Sequence, residues 1–66
     1  MPVTFKQIGS DNRYGMGQHI VYDDEGEEIC VTDNAGFPDH ATITIRGVDI
    51  DYYTLLDIVD FLENGE

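Results

Sequence analysis

The sequence predicts an α+β fold: a small antiparallel β-sheet of three to four strands with one C-terminal α-helix packed on one face. Three observations predict it. Residues 41–46 alternate apolar and polar side chains with the period of a half-buried strand. Glycine-bearing connections of hairpin length separate the earlier apolar runs. The stretch 51–64 then repeats its apolar residues at helical spacing. With 66 residues, the chain is expected to form one acidic domain over 1–66, near the lower size limit for unaided folding.

The elements follow in order. Val3-Thr4-Phe5-Lys6-Gln7-Ile8 alternates well enough for a first strand, with Val3 and Phe5 toward the core. Residues 9–17 hold three glycines among turn formers and read as a loop. Its Gly15-Met16-Gly17 lacks the glycine spacing and the lysine of a phosphate-binding loop. Residues 18–23 and 28–33 read as the second and third strands, joined by the turn 24–27. A turn over 34–40 leads to the strand 41–46, where Ile43 and Ile45 point one way and Thr42, Thr44 and Arg46 the other; Gly47 ends it. In the helix, Asp51 or Asp49 is placed to cap the start, and Asn64-Gly65 stops it. Tyr52, Leu55, Leu56, Ile58, Val59 and Leu62 share one broad face; Tyr53, Asp57 and Asp60 lie opposite.

Composition restricts function. Fourteen Asp and Glu stand against Lys6, Arg13 and Arg46, a net charge of −11. That load destabilises a compact state by self-repulsion and opposes binding to phosphate backbones. It serves either as a solubility device or as a field that attracts a basic surface. With one cysteine, Cys30, no intramolecular disulfide can form, and no Cys/His cluster has zinc spacing. A tightly packed core or homodimer formation must supply stability instead. Residues 1–6 do not resemble a signal peptide, and no run approaches a membrane span, so a reducing cytoplasm is expected, that of the host if the chain is phage-encoded.

Two groups of side chains are candidates for partner binding. Asp23, Asp24, Glu25, Glu27 and Glu28 crowd a hairpin tip. Their order does not fit an EF-hand, and a solvated tip or contact with a basic groove explains them better than a metal does. On the helix, Asp57 and Asp60 form a short negative ridge one turn after Tyr53, where the helix dipole prefers cations; a plain polar outer face is the simpler account. Tyr53 or Tyr22 would supply an aromatic anchor beside these acids. His19 and His40 have no serine or cysteine pattern near them, and Cys30 reads as a small buried hydrophobe. A chain this short has little room for a deep pocket, so no enzyme activity, catalytic residue, metal or cofactor is expected.

In size, charge and composition the whole chain resembles the anti-CRISPR proteins, and secondarily acidic inhibitors of restriction enzymes or of uracil-DNA glycosylase. The resemblance implies a non-enzymatic inhibitor acting as a DNA mimic. Its rigid carboxylates would occupy the Lys/Arg-lined channel in which a host nucleic-acid-binding protein holds its target duplex. The alternative is a small interaction module, such as an antitoxin or accessory subunit, that pairs through its helix or a free strand edge. Acids gathered on one face favour the mimic; acids scattered evenly favour the module.

Overall fold

The computed structural model describes residues 2–9 and 17–65. Its elements are β1 (Thr4–Gln7), β2 (Gln18–Tyr22), β3 (Glu28–Asp33), β4 (Thr42–Ile45), β5 (Val48–Asp51) and α1 (Tyr52–Asn64). The class is α+β, as expected. The sheet has five strands, not three to four, in the order β1-β2-β3-β4-β5, all neighbours antiparallel. Most of the loop expected at 9–17 lies outside the described residues.

The additional strand is β5. Val48-Asp49-Ile50-Asp51 alternates apolar and acidic residues, but its carboxylates follow Gly47 and precede the helix, so they look like helix caps. A two-residue turn explains the strand instead. Arg46 and Gly47 both adopt left-handed backbone, φ 53° and 80°, as a tight hairpin with the twist of its strands requires. Glycine meets this at no steric cost, whereas Arg46 carries some strain. Asp51 occupies the N-cap position of α1 without making a side-chain capping bond. Asp49 does not cap either: its Oδ1 accepts a 2.7 Å hydrogen bond from the Thr44 hydroxyl across the ladder. Gly65, at φ 75°, ends α1 and donates its N–H to the Phe61 carbonyl.

Register assigns each strand residue to a face, because directly paired residues point the same way. Phe5, Val21 and Cys30 align across the sheet, as do His19, Thr32, Ile43 and Ile50, and Ile45 pairs with Val48. These residues form an apolar face. The other face carries Lys6, Ile20, Val31, Thr44 and Asp49 in one row and Gln18, Asp33, Thr42 and Asp51 in the next. Tyr22 and Glu28 pair on that second face beyond a register shift in β2–β3.

The core is slight. Val21, 6% exposed, is the buried hydrophobic residue among those described. Helix packing was expected through Leu55, Ile58, Val59 and Leu62. Leu55 does turn toward the apolar face and is half-buried, but Ile58, Val59 and Leu62 are exposed, Leu62 by 75%. The helix leaves the sheet directly from β5, with no loop to turn it back across the strands, and its main contacts are with β5. Phe5 lies on the apolar face as expected but is uncovered, 61% exposed, and Val3 is exposed too.

Candidate functional site: a charge-segregated sheet

Among the strand residues, every Asp and Glu placed by register lies on the same face: Glu28, Asp33, Asp49 and Asp51. None lies on the apolar face. Thr42 pairs with Asp33 on one side and Asp51 on the other, so those acids stand two strand spacings apart, about 9–10 Å. Asp49 and Asp51 are two residues apart on β5, about 6.8 Å along it. The three carboxylates thus stand about 7–10 Å apart on one sheet surface. Among the described strand residues, Lys6 is the cation on this face, at its β1 edge.

Of the residues singled out from sequence, Asp24, Glu25, Glu27 and Glu28 are exposed at the tip. Asp23 differs from them. Its Oδ1 accepts the backbone N–H groups of Glu25 and Glu27, both at 2.9 Å, so it builds the turn that displays the others. The backbone closes the same turn through bonds between Asp23 and both Gly26 and Glu27. Tip and helix start at opposite ends of the sheet: Tyr22 and Glu28 pair at the tip end, whereas Asp51 aligns with Thr42 and Asp33 at the other.

At the helix end, Tyr53 donates a 2.8 Å hydrogen bond to Asp39 Oδ1, and its ring meets Tyr52 edge-on with centroids 5.3 Å apart. The bond to Asp39 raises the Tyr53 phenol above its ordinary pKa, so Tyr53 stays neutral beside the acids. Asp57 and Asp60 are exposed, and Asp60 Oδ1 accepts from the Asn64 amide at 2.7 Å. The connection under Tyr53 is pinned by Asn34, 8% exposed and left-handed at φ 59°. Its amide donates to the His40 carbonyl at 2.9 Å.

Sequence reading missed Asp33, Asp49 and Asp51 as surface-forming acids. The signal was present in the period-2 alternation of 48–51, which places Val48 and Ile50 on one face and both aspartates on the other.

Phe5, His19, Thr32, Ile43, Tyr52 and Leu55 line an apolar groove of about 400 Å³, which Asp33 and Thr42 also border. The buried His19 Nδ1 has no hydrogen-bond partner there. Cys30 sits half-buried on the same face. Burial first, and then the Glu28 charge, push its thiol above the ordinary pKa, so it stays protonated at neutral pH. Among the described residues no cluster of three or more His, Cys, Asp and Glu is arranged to hold a metal ion, and no helix is long and apolar enough to cross a membrane. Compared with known protein families, with curated proteins and with solved structures, the chain matches none.

Proposed function

We propose that this chain is a non-enzymatic inhibitor that binds the basic, nucleic-acid-binding surface of a host defence protein in the manner of an anti-CRISPR DNA mimic, blocking target DNA. The observation that supports this reading is the segregation of the strand carboxylates onto one face, with none on the other. An evenly solubilised domain needs no such division. A field of one sign on a rigid sheet attracts a Lys/Arg-lined channel and loses little freedom on docking. The exposed tip acids 24–28 extend that field at one end, and Tyr53, Asp57 and Asp60 flank it at the other. Tyr22, paired with Glu28, is the better placed aromatic anchor on the acidic face itself.

The test is competition for a guide-loaded CRISPR effector complex. Target duplex binding should fall as the protein is added, recover with excess duplex, and be inhibited less as salt rises. If protein and duplex occupy the effector simultaneously and independently, or if no effector is bound, mimicry at the DNA site is wrong. The interaction module then becomes the better account; the exposed α1 stripe is the observation that favours it.

A further inference from the structure

The C-terminal end of α1 holds a reactive pair that neither face of the sheet uses. Asn64 is exposed and is followed by Gly65. In such a pair the backbone nitrogen after the side-chain amide carries no neighbouring side chain to shield it. Beyond its chain neighbours, no atom comes within 4 Å of the position a Cβ on Gly65 would take, so the approach to that nitrogen is open. Asn34 differs on both counts: it is 8% exposed and is followed by Ala35.

While the last turn is closed, the helix holds the pair in an unreactive geometry. Helical side chains lean back toward the N-terminus, away from the peptide that follows them. Asn64 does so: its Nδ2 donates to the Asp60 carbonyl at 3.1 Å and to Asp60 Oδ1 at 2.7 Å. The Gly65 N–H is engaged as well, donating to the Phe61 carbonyl at 2.7 Å. That turn is a weak one. It holds no basic residue, and Asp60 and Glu63 stand where the helix dipole disfavours anions. None of the residues of α1 is buried. Helix ends with so few contacts open locally at little cost.

We propose that Asn64 is a self-modifying site gated by the last turn of α1. With the turn open, the Gly65 backbone nitrogen gives up its proton to solvent and attacks Cγ of Asn64. A C–N bond forms, the side-chain nitrogen leaves as ammonia, and a five-membered succinimide results. Water then opens the ring at either carbonyl and leaves aspartate or isoaspartate at position 64. Asp60 keeps the turn from closing again. The amide that donated to it at 2.7 Å becomes a carboxylate with no hydrogen to give, so an attraction turns into like-charge repulsion. Isoaspartate also adds a carbon to the main chain, which breaks the spacing of the helical hydrogen bonds. The net charge, −11 before the reaction, gains one more negative unit at the end of the helix.

Ageing the full chain at pH 8 and 37 °C, folded and in urea, with peptide mapping by mass spectrometry, tests this. The mass gain of an amide exchanged for an acid should collect at Asn64 while Asn34 stays unchanged, with isoaspartate among the products. The folded chain should react about tenfold more slowly at Asn64 than the chain in urea, the protection that hydrogen bonds of ordinary net strength confer. Asp60→Ala, which removes one of those bonds, should speed the folded chain about threefold. Gly65→Ala should nearly stop the reaction even in urea. As product accumulates, the Gly65 N–H should lose its protection from hydrogen exchange and α1 should shorten by about one turn. A folded chain that keeps Asn64 intact, or that modifies Asn34 first, overturns the proposal. Equal rates in the folded chain and in urea, or an Asp60→Ala rate equal to wild type, overturn the gate. Should Asp60→Ala fail to fold, the ratio of the two wild-type rates decides alone.

Discussion

The two faces of the sheet share a backbone and little else. On β5, Val48 and Ile50 belong to the apolar face and Asp49 and Asp51 to the acidic one; on β3, Cys30 and Thr32 oppose Val31 and Asp33. The strand period of two lets four consecutive residues contribute to two surfaces of opposite chemistry. A helix of the same length could not separate them so cleanly, since its side chains fan around the axis. The lesson is that a net charge of −11 does not describe any one surface of this molecule. The four strand carboxylates lie where register puts them, and the reverse side of the strands carries none of them.

The sharpest way to break this contrast is to place a carboxylate on the apolar face at its buried point. Val21→Asp should unfold the chain, because an unpaired charge there costs more than about 3 kcal/mol against a small core. Loss of the far-ultraviolet β signal at 25 °C is the readout. Asp49→Lys with Asp51→Lys should do the opposite. Tm should hold or rise as self-repulsion is relieved, while affinity for a basic partner falls about 30–150-fold, as two charge contacts of ~1–1.5 kcal/mol each imply. The same reversal at Asp57 and Asp60 should cost less, because α1 lies off the acidic face; an equal or larger loss would move the binding surface onto the helix.

How far the sequence revealed this arrangement differs from element to element. β2, β3, β4 and α1 were legible because each has a clear period and a glycine boundary. β5 was hidden because Asp49 and Asp51 satisfy two rules at once, helix cap and strand alternation. Only the Arg46-Gly47 turn geometry decides between them. Tip acids could be found from composition; the Asp33–Asp51 row could not, because it joins residues eighteen positions apart through pairing with Thr42. The expected helix packing assumed that an apolar stripe must meet its own sheet, but α1 leaves β5 with no loop to turn it back, and Ile58, Val59 and Leu62 stay exposed.

Milder effects sharpen the contrast further. Gly47→Ala should cost about 1 kcal/mol, seen as a lowered urea midpoint, because alanine resists φ 80°. Cys30 should react with iodoacetamide at pH 8 more slowly than free cysteine, because its raised thiol pKa leaves less thiolate. The unfolded chain releases that proton first, so the thiol's contribution to stability is complete below the unfolded pKa and is lost as pH climbs past about 8.5. A thiol that reacts at the free rate would mean that the apolar face is open to water even at its centre.

Strand order has a consequence for the path by which the chain acquires its structure. Each strand pairs with its neighbour in sequence, so no pairing must wait for a distant segment to arrive. The β4–β5 hairpin closes over two residues and is the natural starting point; β2–β3 closes over five, β3–β4 over eight, and β1–β2, over ten, comes last. Meander topology of this kind favours quick, unimolecular formation of the sheet for an all-antiparallel arrangement. The refolding trace should then show one phase indifferent to protein concentration; a phase that accelerates with concentration would mean that strand pairing is not confined within one chain.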